Sequence, residues 1–349
     1  MFNSSRPRAL ARHAPAVIVT ALMAILPAQA GLLAVRARAV APPHTTAAAP
    51  APSVEKPASV QTSAEPRPVP TRVVQAPRRA AARAPSDRLS VFGGLGAWVD
   101  LYDYGALDPA RAVAMLRSHG VRTLYMQTAR YNSGSGITPV AGRWLVAAHR
   151  AGIKVVGWYL PDYADMSRDV ARTVAVARAR ISGHRFDAVG IDIEEKANVK
   201  GRDDWNRRVA RHASLVRAEL GRSYPLTAIT PTPLGMAVAP ARWAGFPWRS
   251  LAASTDVMML MNYWSYRTDC PTNADHCAYG YTRGNVDRVR ALVGKSVPIH
   301  VIGGVADVID AAEVADFAHA ALDSRVFGAS LYDLRTTADA FWGLLERLA

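Results

Sequence analysis

The sequence is poor in the residues from which most metal and nucleotide sites are built. Its 349 residues include two cysteines, Cys270 and Cys277, in one polar loop. With His276 they offer three ligands, where a structural zinc wants four. The nine histidines show no ligand spacing. His300 falls inside an apolar strand pattern without an H-x-H or H-x-x-x-H partner, and His119, His149 and His212 fall on helix patterns. No G-x-x-x-x-G-K-[ST] or G-x-S-x-G segment occurs, which argues against a P-loop enzyme and a nucleophile-elbow hydrolase. Gly93, Gly94 and Gly96 precede and enter the first strand pattern instead of following it, so that unit lacks a phosphate loop. No metal and no cofactor is expected.

The main part of the chain is also short of net charge. Of the formal +14, residues 1–88 supply most, with 12 Lys+Arg against 3 Asp+Glu, while the remainder holds 30 against 25. A nucleic-acid-binding domain would carry a basic stripe on its folded part, so no nucleic acid partner is expected. Arg6, Arg8 and Arg12 precede an apolar run from Ala14 to Leu26 and the A-x-A pattern at Ala28-Gln29-Ala30. This is the layout of a signal peptide over residues 1–30. Apolar character resumes to Val35, so residues 14–35 are also long enough for a retained anchor, the one expected contact with a membrane. Both alternatives leave the rest extracytoplasmic, secreted or held at the outer face of the membrane. Residues 31–88 are Ala, Pro, Thr, Ser and Arg with almost no aromatics, and they cannot bury enough apolar surface to offset chain entropy. They are expected to form a disordered, extended linker. In an exported chain Cys270 and Cys277 are expected to form a disulfide, worth ~2 kcal/mol for so short a loop.

What the chain does have, from Val91 onward, is a repeat of short apolar runs and helix-patterned stretches. Strands are expected at 91–102, 121–128, 153–160, 188–194, 226–230, 257–263, 299–303 and 327–332. Helices are expected after Asp108-Pro109 and around 143–150, 167–181, 204–220, 285–292, 311–322 and 338–348. Between the fifth and sixth strands Pro231, Pro233, Pro240 and Pro247 indicate a long loop. Eight such units over residues 89–349 imply parallel strands joined by crossovers, an α/β fold of the single (β/α)8 TIM-barrel type. An open doubly wound sheet is the alternative.

Functional residues of such a barrel stand at the C-terminal ends of the strands. There the sequence offers Trp98, Asp100, Tyr102 and Asp103; Gln127, Arg130 and Tyr131; Trp158, Tyr159 and Asp162; Asp192, Glu194 and Glu195; Asn262, Tyr263 and Trp264; and Tyr332, Asp333 and Arg335. The informative stretch is Phe186-Asp187-Ala188-Val189-Gly190-Ile191-Asp192-Ile193-Glu194-Glu195. Two residues apart on a strand, Asp192 and Glu194 leave the same face. Desolvating a carboxylate costs several kcal/mol unless it is paired or used, so two acids on one apolar face point to chemistry. Two carboxyls at one mouth suit glycosidic cleavage, and the surrounding rings and amides suit a sugar. Glu195 leaves the opposite face, and Asp187 precedes the strand as a turn or cap residue.

Asp187, Asp192 and Glu194 resemble the fourth-strand signature Asp-x-x-Asp-x-Asp-x-Glu of the chitinase-like glycoside hydrolases, family eighteen, with Gly190 in place of the second acid. Met261-Asn262-Tyr263 resembles that family's Met-x-Tyr segment. An acidic pair of this kind also ends the fourth strand in the lysozyme-like family twenty-five. The family-eighteen resemblance implies that Glu194 is the general acid, that Asp192 orients an N-acetyl group, and that Tyr263 hydrogen-bonds that group as its carbonyl attacks the sugar carbon. The expected sugar contacts are Trp98, Asp100, Gln127, Trp158, Asp162, Asn262, Trp264, Tyr332 and Asp333. Tyr332 and Asp333 stand where the family has a Trp, and Trp264 is a possible substitute.

The expected function is hydrolysis of a polysaccharide or oligosaccharide, N-acetylated as in peptidoglycan or chitin. The alternatives are a non-catalytic carbohydrate-binding barrel, for which Gly190 is the best argument, and a wall-associated structural protein. Three local alternatives stand beside this. Glu194 could be ion-paired to Arg130 or Arg335, Asp100 or Asp333 could be its catalytic partner, and Tyr263 and the tryptophans could fill the core.

Overall fold

The computed structural model describes residues 88–134, 137–270 and 272–349. The expected signal or anchor segment and nearly all of the expected linker lie outside the described residues. From Gly94 onward eight strands follow one another in chain order: β1 (Gly94–Val99), β2 (Thr123–Arg130), β3 (Lys154–Leu160), β4 (Ala188–Asp192), β5 (Leu226–Pro231), β6 (Val257–Met261), β7 (Ile299–Val305) and β8 (Gly328–Tyr332). Every neighbouring pair is parallel, and β8 returns to β1 in the register Gly94↔Gly328 to Ala97↔Leu331, closing a barrel. Closure leaves no sheet edge and rules out the open doubly wound alternative.

Helices join the strands: α1 (Pro109–Ser118), α2 (Pro139–Arg150), α3 (Met166–Arg178) and α4 (Arg202–Leu220) follow β1 to β4. Three short helices, α5 (Pro233–Met236), α6 (Pro240–Trp243) and α7 (Trp248–Ser254), then separate β5 from β6. After these come α8 (Ala278–Val293), α9 (Ala311–Asp323) and α10 (Asp339–Leu345). Asp108 caps α1 by accepting the Arg111 N–H at 2.8 Å, and Asp310 with Glu313 forms a reciprocal capping box on α9. The expected loop after β5 contains short helices because Pro233 and Pro240 sit in first turns, where the missing N–H costs nothing. Helix α2 starts four residues ahead of the expected Arg143, at Pro139 behind its Thr138 cap. Helix α8 starts at Ala278, directly after Cys277 and well ahead of Asn285, because Gly280 and Gly284 mask its apolar period. No helix among the described residues is long and apolar enough to cross a membrane.

The barrel interior is filled from the bottom. A 3-10 turn over Ser90–Phe92 inserts Val91 and Phe92 below the strands, where the Phe92 carbonyl lies 3.0 Å from Nδ1 of His300 and the Val91 carbonyl accepts from Thr123. His300 is wholly buried, hydrogen-bonded also to Ser330, and held down to about pKa 4 by burial; it is a satisfied core histidine. Above this plug lie Trp98, Tyr125, Val156, Ile229 and Met259, with Trp98 stacked on Tyr125 at 4.5 Å. The interior is therefore packed, and space opens at the C-terminal mouth.

Candidate functional site

At that mouth a cavity of about 120 Å3 is lined by side chains from all eight strands and from the turns that follow some of them. Asp192 and Glu194 share its floor with Trp98, Trp158, Ile229 and Met261; Asp100, Gln127, Tyr263 and Tyr332 line its sides. Alternation along each strand explains the set. Trp98 and Asp100, Trp158 and Leu160, Asp192 and Glu194, and Met261 and Tyr263 are pairs two apart on one face. Strand β4 ends at Asp192, yet the Ile193 N–H still reaches the Ile229 carbonyl at 2.8 Å, which carries the alternation on to Glu194.

Burial sets the electrostatics of the pair. Asp192 is 6% exposed, and its Oδ1 has no hydrogen-bond partner. Burial, and then the charge of Glu194, push its carboxyl well above the usual range. Burial, and then Glu195, push Glu194 up to about 7. The two titrate together, so protons belong to the pair. Burial and the facing charges of Glu194 and Asp192 raise the Tyr263 hydroxyl far above its ordinary value, keeping it a donor. Glu194 makes no ion pair among the described residues: Arg335 binds Asp103 at 2.7 Å, and Arg130 has no carboxylate within 4 Å.

Gly190 lies one step deeper on the same face. A Cβ there would come within 2.9 Å of Ile229 Cδ1 and 3.2 Å of Trp158 Cβ. The place of the family's second acid is thus taken by packing, and Asp192 has no carboxyl beneath it. Trp158 carries a further orphan, a buried indole N–H without a partner. Native structures rarely leave such groups unsatisfied without a use.

Other expected contacts lie outside the cavity lining. Asn262 is wholly buried but faces α8, donating to Thr282 at 2.6 Å and accepting from Asn285 at 3.0 Å. Trp264 is 1% exposed, packs on Phe317 of α9 and donates to Glu313 at 3.1 Å. Strand β6 ends at Met261, and the 3-10 turn Trp264–Tyr266 breaks the alternation, turning Trp264 outward. Tyr266 lines the cavity instead. Asp162 follows the end of β3 and binds Arg168, the Asn198 amide at 2.8 Å and the Ala164 N–H. Asp333, 2% exposed, accepts the Thr336 N–H at 3.1 Å. Tyr159 points away from the barrel axis to Asp169. Glu195 folds back onto the Ala197 N–H.

Asp100, Asp103 and Asp333 bring carboxylate oxygens within 4.8 Å of one another, the one group among the described residues close enough to share a cation. Arg335 already neutralises Asp103 there, and burial with the charges of Asp100 and Asp333 raises Asp103 to about 7. Asp100 itself is satisfied by the Tyr102 N–H at 2.7 Å and the Tyr332 hydroxyl at 3.3 Å.

A larger groove runs between α3 and α4, lined by Arg178, Arg207, Arg208 and Arg211. Its acids are spent on ion pairs, Asp204 with Arg207 and Arg208, Glu219 with Arg178. The mouth, with unpaired acids in a drier setting, is the better reactive site.

A disulfide joins Cys270 and Cys277 in the loop between Tyr266 and α8. It closes a short loop that begins four residues after a cavity-lining side chain.

No family model matches the chain, and no curated protein matches it. Solved structures do match. A chitinase from Chromobacterium violaceum superposes with a TM-score of 0.54 at 13% identity, covering 73% of this chain and 98% of its own. A GH18 chitinase from Cycas revoluta in complex with (GlcNAc)3 gives 0.53 at 12%, covering 73% and 98%. A class V chitinase from Pseudomonas fluorescens gives 0.54 at 11%, covering 73% and 99%. At such identities the likeness is one of fold, and barrels host many chemistries.

Proposed function

We propose that this protein is a glycoside hydrolase acting on an N-acetylated glycan, with Glu194 as general acid, Asp192 as the carboxyl that holds the N-acetyl group, and Tyr263 as a second donor to that group. One observation carries the proposal: the Asp192–Glu194 pair stands unpaired by any cation at the floor of an aromatic-lined mouth, with Glu194 raised to about 7. A carboxyl so raised keeps a proton closer to neutrality than an ordinary glutamate and can give it to a leaving glycosidic oxygen. The acetamido carbonyl then attacks the sugar carbon. Water later opens the ring so formed, returning its proton to Glu194, so no enzyme nucleophile is needed. Trp98 and Trp158 offer ring faces to the sugar, and the orphan Trp158 N–H and Asp192 Oδ1 offer polar contacts. The bound trisaccharide in the Cycas revoluta structure supports an oligosaccharide ligand by analogy of fold.

We place the enzyme outside the cytoplasm, a reading supported by the N-terminal sequence pattern and by the disulfide. The test is hydrolysis of peptidoglycan, chitin oligomers and acetyl-free glucans by wild type and Glu194→Gln. Cleavage confined to N-acetylated substrates and lost in the variant supports the assignment. Glu194-dependent cleavage of acetyl-free glucans moves the partner role to Asp100, which shares the cavity. The packing of Ile229 and Trp158 over Gly190 favours a second reading, a carbohydrate-binding barrel without turnover; saturable binding with no cleavage of any polymer selects it.

A further inference from the structure

We infer that Arg130 makes this site selective for a glycan bearing a carboxylate on or beside the reacting sugar; the inference rests on the glycan-binding reading above. Strand β2 carries a bulge: Gln127 pairs with Trp158 and Ala129 with Tyr159, leaving Thr128 as the extra residue. Simple alternation from Tyr125 and Gln127 would aim residue 129 inward and residue 130 at the helices. The bulge reverses this. Ala129 comes opposite Tyr159, whose side chain points outward to Asp169, and Arg130 comes opposite Leu160, which lines the cavity. A bulge forgoes ladder pairing, and beside an active site its usual effect is to re-aim one side chain. Here that side chain is Arg130.

The arginine is held ready and left unused. The Ser133 hydroxyl accepts the Arg130 N–H at 2.9 Å, and Arg172 donates to the Arg130 carbonyl at 3.0 Å, so the backbone is pinned. The guanidinium lies 5.7 Å from the centroid of the Tyr102 ring, another cavity residue. Among the described residues its N–H donors reach no acceptor, and no carboxylate lies within 4 Å. The cavity-lining acid outside the catalytic pair, Asp100, spends its oxygens on two backbone N–H groups and Tyr332. A planar fork of donors facing a sugar site matches a carboxylate in two-point contact. A neutral homopolymer of N-acetylglucosamine has no group for it. A lactyl-ether sugar and a uronic acid both do.

The experiment measures equilibrium binding of matched oligosaccharides to the full-length chain. One pair is a GlcNAc–MurNAc tetrasaccharide with its lactyl carboxylates free or converted to methyl amides. The other is a GlcA–GlcNAc tetrasaccharide treated likewise. Wild type is expected to bind the free acid of one pair on the order of 10- to 100-fold more tightly than its amide, the range of a charge-assisted contact. The preferred pair names the source of the carboxylate. In Arg130→Gln the acid-to-amide ratio should fall to near unity, and in Arg130→Lys it should be partly restored. A ratio near unity for both pairs in wild type, or an unchanged ratio in Arg130→Gln, overturns the inference. Turnover of the same compounds is read separately: selective binding without cleavage sinks the hydrolase assignment and leaves the role of Arg130 standing.

Discussion

An aspartate stands just before strand β4 and another ends it, and the two meet opposite fates. Asp187, at the bottom of the barrel, accepts the Val155 N–H at 2.9 Å and the His149 ring N–H at 2.9 Å, and lies 3.5 Å from Lys154. Burial works against its charge, but those partners win and hold the carboxyl below the usual range. Asp192, five positions on, faces Glu194, Tyr263 and tryptophan rings, has an oxygen without a partner, and is held well above the usual range. Both are carboxylates at the two ends of one strand of one barrel. Pairing at the bottom makes an ion that ties β3, β4 and α2 together; the lack of pairing at the mouth makes an acid ready to exchange a proton.

The largest effect should come from removing that acid. Glu194→Gln is expected to lower turnover by ~10²–10⁴-fold, the usual worth of a general acid, with binding of oligosaccharide retained. Initial rates beside a binding isotherm check this. In wild type, turnover should fall as pH rises past about 7, because the acid must be protonated to act.

Restoring a carboxyl beneath Asp192 erases the asymmetry from within. Gly190→Asp would press its Cβ against Ile229 and Trp158 and is expected to destabilise the fold by ~2–3 kcal/mol, read from denaturant midpoints. At the other end, Asp187→Ala removes charge-assisted bonds and is expected to cost ~1.5–3 kcal/mol while sparing the mouth. An Asp187→Ala protein with wild-type stability would show that the bottom cluster ties nothing together.

The smallest and most diagnostic effect is the dependence of stability on pH. Raised carboxyls at the mouth bind protons more tightly in the folded state. The contribution of Glu194 is complete below the ordinary glutamate value of 4.5 and is lost as pH rises through about 7. Asp187 runs the other way: its contribution is present above the ordinary aspartate value and is lost as pH falls through its lowered one. Melting curves should therefore show Glu194→Gln gaining on wild type by a few °C between pH 5 and pH 8, and Asp187→Ala losing its deficit on acidification.

Much of this was legible in the residues. All eight strands fall where alternating apolar runs predict them, and the placement of Asp192 and Glu194 on one face follows from their spacing. The same parity rule separates Asn262 from Met261 and Tyr263, since one residue of offset sends a side chain to the helix layer. Trp264 shows where parity stops. Its offset from Tyr263 says little once β6 has ended and a 3-10 turn has begun, and the tryptophan turns to Phe317 while Tyr266 enters the cavity. Asp162 and Asp333 likewise sit past or beside strand ends, where local turn and ion-pair chemistry uses them first.

By itself the sequence determined the eight-unit alternation, the direction of each strand's side chains and the acid pair at one mouth, because a two-residue period is a local property of the chain. Tertiary structure alone decided where each strand ends, that a bulge in β2 turns Arg130 inward, that Trp158 and Ile229 occupy the space above Gly190, and that Asp192 loses its water. Each of these depends on what a neighbouring strand places opposite, and desolvation is the joint work of the whole ring of strands around the site.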